Sequence, residues 1–178
     1  MANAENNAFM ADLAIKKLTS YLYEVNYNNW DYDVGFVYNQ KYFNPIIGGC
    51  SAVRNGNYYG RNFDWYYDEC ASFIVRCKPS KGKHGSIGVA GSNTALTDAV
   101  ANSRKYNPAY KVLPFQVVDG INDAGVVCNV NVVPTGDKGL TTGTKANGDD
   151  MPATMLVRYI LDYADSASNA IELIKKLN

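Results

Sequence analysis

Cys50 and Arg61 are the residues whose types and spacing in this chain promise chemistry. They flank Asn55-Gly56, which lies between two strand-like runs. Asn-Gly in that setting is the strongest short-range signal for a hairpin closed by a two-residue I′ turn. With Asn55-Gly56 as the loop, counting outward sets Arg54 opposite Asn57, Val53 opposite Tyr58, Ala52 opposite Tyr59, Ser51 opposite Gly60 and Cys50 opposite Arg61. Directly opposed residues share a sheet face, with Cβ atoms about 4.5–5.5 Å apart. A thiol is thereby expected beside a guanidinium, and a fixed cation nearby favours the thiolate, the nucleophilic form of cysteine. Gly48 and Gly49, just ahead of the thiol, allow a sharp bend or a close approach.

A resemblance enters at these residues. Cys50-Ser51 followed by Gly60-Arg61-Asn62-Phe63-Asp64-Trp65 resembles the amino-terminal signature of the choloylglycine hydrolase family. Asp119-Gly120-Ile121-Asn122-Asp123-Ala124-Gly125 is similar to that family's D-G-x-N-x-x-G stretch, which leads into a strand. The family includes bile salt hydrolases, penicillin V acylases and related linear-amide C–N hydrolases, all N-terminal-nucleophile (Ntn) hydrolases. The resemblance implies an α+β fold, an αββα sandwich of antiparallel sheets. It implies self-cleavage at Gly49–Cys50, with residues 1–49 a helical pro-segment that blocks the site and 50–178 the N-terminal part of the Ntn domain. Cys50 would attack the carbonyl of a non-peptide amide to give a thioester that water hydrolyses. No histidine is available by sequence pattern as base; the freed α-amino group, with a pKa near 8, fills that need. Arg61 would hold the thiolate and Asp64 would orient the amine or the thiol. The substrate class is an acyl amide: a conjugated bile salt, penicillin V or an N-acyl amine.

The oxyanion partner is less direct. Along Gly125 to Val133, Val127, Asn129, Asn131 and Val133 alternate with Cys128, Val130 and Val132, so the two asparagines share a strand face. A buried amide on such a face either satisfies the ladder and loops or donates to an oxyanion. The family's asparagine aligns with Val132; Asn131 misses it by one residue, which needs a bulge to correct. Asn131 is the first choice and Asn129 the second. Trp65 and Phe63 line an acyl pocket or belong to the core. Family members continue beyond the paired C-terminal helices and draw a further asparagine and arginine from there. The sandwich is therefore expected to be incomplete here: a fragment, a half completed by a second polypeptide or copy, or a reduced relative that binds an acyl amide without turning it over.

Composition bounds the alternatives. With 178 residues, 47% hydrophobic and 19% charged, the chain can bury a sizeable core. A formal net charge of zero gives no reason to expect nucleic acid or an anionic membrane as partner. Fourteen tyrosines favour strands and turns over a helical bundle. Cys50, Cys70, Cys77 and Cys128 contain no C-x-x-C, and the single histidine, His84, completes no zinc set with them. No metal or cofactor is expected. An even cysteine count admits a third reading, a disulfide-linked secreted domain, although the density is low for a stapled scaffold. There is neither an eighteen-residue apolar run nor a basic-then-apolar leader. A cytoplasmic chain is favoured, or a secreted one if a leader has been removed.

The positioning elements follow from spacing. Ile15, Leu18, Leu22 and Val25 predict a helix over 6–25. Short strands are expected at 34–38, 71–77 and 86–90, and one at 112–118 bent by Pro114. The 78–85 loop, with His84, is expected to be solvated, and 135–148 to be a long loop bordering the site. Asp149 or Asp150 should cap a helix with Met155, Leu156, Tyr159, Ile160 and Tyr163 buried. Asp165 or Ser166 should open another, with Ala170, Ile171, Ile174 and Leu177 inward.

Overall fold

The structure, a computed structural model, describes residues 2–34, 50–63, 71–91, 96–131, 151 and 153–177. In chain order these form α1 (Ala2–Asp12), β1 (Ala14–Thr19), β2 (Leu22–Tyr27), β3 (Cys50–Asn55), β4 (Tyr58–Phe63), β5 (Ser72–Cys77) and β6 (Ser86–Gly91). There follow α2 (Asp98–Ser103), α3 (Ala109–Val112), a 3₁₀ turn (Leu113–Gln116), β7 (Val117–Asn122), β8 (Val127–Asn129), α4 (Ala153–Tyr163) and α5 (Ala167–Lys175). The chain is mixed α+β, built on a six-stranded sheet in the order β1-β2-β5-β6-β7-β8, with β3-β4 a separate two-stranded hairpin.

The first departure from expectation lies at the N-terminus, where the helix foreseen over 6–25 is instead α1 followed by an antiparallel β1-β2 hairpin. The spacing of Ile15, Leu18, Leu22 and Val25 imitates a helix. The burial that decides the matter is two-periodic: Tyr23, Val25 and Tyr27 are all within 1% of fully buried. Alternation of that kind belongs to a half-buried strand. The second departure is that β2 runs parallel to β5, pairing Leu22 with Ser72 through Tyr27 with Cys77. The sheet is therefore mixed and not purely antiparallel. A parallel pair needs a long crossover, and the chain between Tyr27 and Ser72 supplies it, carrying the β3-β4 hairpin on the way.

Strand pairing assigns the two faces. Phe73, Val75, Cys77, Ala90 and Gly120 point to the face covered by α4, the 3₁₀ turn and α3, with Phe115, Leu113 and Tyr110 fully buried there. Ile74, Val89, Ile87, Asp119 and Ile121 point to the opposite face, where the β3-β4 hairpin lies. Each fully buried aliphatic or aromatic side chain contributes about 1.5–3 kcal/mol, so the helix-covered face carries most of the stabilisation. Gly88 and Gly120 are opposite each other in the β6-β7 ladder. A Cβ on Gly120 would come within 2.8 Å of Leu161 Cδ1 and of the Ile87 carbonyl. Only glycine lets α4 approach the sheet this closely.

Pro114 bends no strand: it sits in the first turn of the 3₁₀ segment, a position that requires no N–H donor. Strand β7 begins three residues later. The C-terminal helices form where expected, and Ser166 caps α5 by accepting from Asn169 N–H at 3.1 Å. Met155 and Ile160 are buried as foreseen, but Val157 and Leu161 join them, while Leu156, Tyr159 and Tyr163 are only half-buried. In α5, Ala170 is inward whereas Ile171 is 55% exposed. The expected strand at 34–38 lies mostly outside the described residues, and so do the 135–148 loop and the Asp149 or Asp150 cap.

Candidate functional site

The hairpin that carries Cys50 forms, but its turn is one residue further on. Asn55 pairs with Tyr58, leaving Gly56-Asn57 as the loop, and Gly56 has φ +58°. Asn57 is not among the described residues with positive φ. Glycine first with positive φ is the II′ turn, whereas I′ would require both central residues in the left-handed region. The register moves accordingly: Cys50 is opposite Phe63, and Arg61 is opposite Ala52. Cys50 and Arg61 are now diagonal neighbours on the same face, a separation that a long side chain spans. Arg61 Nη2 lies 3.6 Å from Cys50 Sγ.

The guanidinium is held by more than the hairpin. Its Nη1 donates to Asp119 Oδ2 at 2.9 Å and to the Val118 carbonyl at 3.2 Å, and its Nη2 donates to the Val130 carbonyl. The Arg61 side chain is only 3% exposed, and that of Asp119 is 19% exposed. A register shift in the β6-β7 ladder, between Val89 and Ala90, leaves Val118 as the extra residue of a bulge. Asp119 lies next to it and pairs directly with Asn129 of β8.

Beside Asp119 opens a cleft of about 460 Å³ between the hairpin and the outer sheet face. Tyr58, Tyr59, Ile74, Ile87, Val89 and Ile121 form most of its wall. Burial pushes the Tyr59 phenol above its ordinary range, Arg61 opposing.

Asn129 and Asn131 are hydrogen-bonded to one another, Asn129 Nδ2 donating to Asn131 Oδ1 at 2.9 Å. Asn129 occupies the sheet face shared with Asp119, while Asn131 lies past the end of β8 and is exposed. Gly49, Asp64 and Trp65 lie outside the described residues; Phe63 stands opposite Cys50 in the ladder. Among the described cysteines, Cys50, Cys77 and Cys128 are all free, so none of them forms the bridges that a disulfide-linked domain would need. Burial pushes the thiols of Cys77 and Cys128 up to about 11, which leaves both poor nucleophiles at neutral pH. Among the described residues no group of three or more His, Cys, Asp or Glu side chains could hold a metal ion, and no helix is long and apolar enough to cross a membrane.

Sequence reasoning missed three features. Asp119 stood in the D-G-x-N match without a role, since nothing local names Arg61 as its partner. Asn122 of the same match is structural. Its amide donates to the Ala164 and Leu161 carbonyls at 2.8 and 3.3 Å and its oxygen accepts from Val126 N–H at 2.9 Å. It thus satisfies the open carbonyl end of α4 and closes the β7-β8 turn. The third is a buried ion pair, Arg158 to Asp162 at 2.7 Å. Trp30 Nε1 and Tyr32 Oη both donate to Asp162 Oδ2, at 2.9 and 2.8 Å. Arg158 also donates to Ser86 Oγ at 2.7 Å. The i,i+4 spacing of opposite charges inside an apolar stripe was its available signal.

A thiol beside a guanidinium, whose carboxylate partner Asp119 lines an apolar cleft, suits acyl transfer. Residues 105–178 match the acyl-coenzyme A:6-aminopenicillanic acid acyl-transferase family, which belongs to the choloylglycine hydrolase and penicillin V acylase group of Ntn hydrolases. The resemblance drawn from the sequence is therefore borne out over that segment, and the family points to an acyl-transferase or amidase. The matched residues include Asp119, Asn122, Val130 and both C-terminal helices; Cys50 and Arg61 precede them. Comparison with curated proteins and with solved structures gave no match.

Proposed function

We propose that this chain is a cysteine amidase or acyltransferase of the Ntn type, acting on a linear, non-peptide amide with an apolar acyl group. The observation that carries the reading is the 3.6 Å approach of Arg61 Nη2 to Cys50 Sγ at the first residue of a strand. Cleavage of Gly49–Cys50 converts Cys50 into a terminal residue whose own amine takes the thiol proton. The sulfur then attacks the amide carbonyl, and the C–N bond breaks as the leaving amine accepts that proton. The resulting thioester is released by water, or by a second amine in the transferase direction. Arg61 faces the sulfur throughout, and Asp64 orients the terminal amine.

Asn129, which lies on the same sheet face as Asp119, or its bonded neighbour Asn131 supplies an amide N–H to the oxyanion. A preorganised donor of this kind is worth about a hundredfold or more in rate. The cleft beside Asp119 suits an aliphatic or aromatic acyl group: its walls are tyrosine, isoleucine and valine, and its volume falls in the range of small-molecule sites. Phe63 and Trp65 are further candidates for contact with the acyl group.

The test joins mass and turnover. Purified protein should lose everything before Cys50 as a covalent part of the chain and hydrolyse members of an acyl-amide panel. Cys50→Ala should abolish both without altering the fold. Full amidase activity in Cys50→Ala ends the nucleophile assignment. An uncleaved chain that binds acyl amides without turnover points to a binding relative of the same fold.

A further inference from the structure

Groups outside its own hairpin help to hold Arg61 against the sulfur. A two-stranded ribbon does little to fix a long, flexible side chain. Besides the sulfur, the guanidinium donates to acceptors on or next to the six-stranded sheet: the Val118 and Val130 carbonyls and the Asp119 carboxylate. The two carbonyls are neutral, and Val118 O is shared with Val130 N–H at 2.9 Å. Asp119 answers the charge with an ion pair at 2.9 Å. It takes Nη1, which turns the planar fork so that Nη2 faces Cys50. Planar, multi-donor recognition of a carboxylate is what distinguishes arginine from lysine at such a place.

Asp119 is itself firmly set. It follows the Val118 bulge, pairs with Asn129, and its carbonyl passes so close to Gly88 that a Cβ there would stand 2.5 Å away. We propose that Asp119 is a positioning residue for the Cys50 reaction, acting through Arg61. The role rests on the nucleophile reading above, but its physical content, coupling of Asp119 to Cys50 through Arg61, is measurable without turnover.

The measurement is the rate of iodoacetamide alkylation at Cys50, followed by peptide mass spectrometry, across a double-variant cycle. Asp119→Asn should slow it by about tenfold to a hundredfold, the range expected when a fixed group is displaced by about an ångström. Asp119→Glu, which keeps the charge, should recover most of the rate. In an Arg61→Ala background, Asp119→Asn should change nothing further, a result that general loosening of the fold would not give. Wild-type alkylation in Asp119→Asn overturns the proposal, as does equal slowing with and without Arg61.

Should Asp119→Asn fail to fold, the double variant leaves no charge of the pair buried alone. Its rate is then compared with Arg61→Ala, equality being expected and further slowing being fatal. The two readings fail separately. Turnover persisting in Cys50→Ala removes the nucleophile while the cycle can still close. Loss of turnover in Cys50→Ala with an Asp119→Asn variant of normal rate removes only this role.

Discussion

Ahead of Cys50, Leu13, Tyr23, Val25, Tyr27 and Trp30 are part of the core, and Trp30 is where that can be tested most sharply. Its ring is 6% exposed and its N–H donates to the fully buried Asp162 carboxylate at 2.9 Å. The Arg158 guanidinium carbon lies 5.3 Å and the Lys83 ammonium 4.4 Å from its ring centroid. Trp30→Phe keeps most of the apolar volume but removes the donor, and a hydrogen bond to a charged partner is worth about 1.5–3 kcal/mol. Trp30→Ala adds a large cavity, and truncations of that kind cost about 3–5 kcal/mol by themselves. The sum, about 4.5–8 kcal/mol, rivals the whole stability of many domains. At about 2–4 °C per kcal/mol for a chain of this size, Tm should fall by roughly 3–12 °C in the phenylalanine variant. The alanine variant should be largely unfolded at 37 °C. Far-UV circular dichroism during thermal or urea unfolding is the assay, since fluorescence would lose one of only two tryptophans. A loss below about 1 kcal/mol in Trp30→Ala would refute the packing argument. The consequence reaches function: with β2 inside the sheet, scission at Gly49–Cys50 should leave both pieces together on native size exclusion and separate them only in denaturant.

The other expectations are briefer. Arg61→Ala should slow alkylation of Cys50 at neutral pH by about tenfold or more, and an unchanged rate would take arginine out of the mechanism. His84 sits between two carboxylates, Nδ1 2.6 Å from Asp123 Oδ1 and Nε2 3.0 Å from Asp165 Oδ1, so only the imidazolium donates to both. Burial pulls its pKa down, but the bonds to Asp123 and Asp165 outweigh that and hold it above the ordinary histidine value. The stabilisation is therefore complete below about pH 6.5 and is lost as pH rises through the folded pKa. NMR titration of the single histidine reads the shift, and His84→Gln should flatten the stability profile in that window. Gly88→Ala would drive a Cβ to 2.5 Å from both the Asp119 carbonyl and Val117 Cγ1. It should cost about 3 kcal/mol in thermal unfolding and slow alkylation of Cys50 by shifting Asp119.

What could be read from the sequence was local. Strands β5 and β6, the two C-terminal helices and the Ser166 cap each carry their signal within a dozen residues. The errors came from partners distant in the chain. Tyr23, Val25 and Tyr27 alternate correctly for a strand, yet the three- and four-residue spacing of Ile15, Leu18, Leu22 and Val25 suggests a helix. The parallel pairing of β2 with β5 has no local signature at all, since it skips the entire hairpin. His84 looked like a solvated loop residue because Asp123 and Asp165 reach it from two other turns.

The juxtaposition of Cys50 with Arg61 survived a wrong turn, and the reason is geometric. Moving a two-residue loop forward by one position, from Asn55-Gly56 to Gly56-Asn57, changes every cross-strand partner by two residues. Side chains repeat every two residues along a strand, so a shift of two leaves each on its original face. Cys50 exchanged Arg61 for Phe63 as its direct partner but kept Arg61 as the diagonal one. A three-residue loop would have moved partners by one and sent the guanidinium to the other side. Face parity is thus a sounder inference from a hairpin sequence than register. The remaining distance was closed by what the hairpin lacks, a carboxylate and two carbonyls from β7 and the end of β8. The local turn decides that sulfur and guanidinium face the same way; the distant sheet decides that they meet.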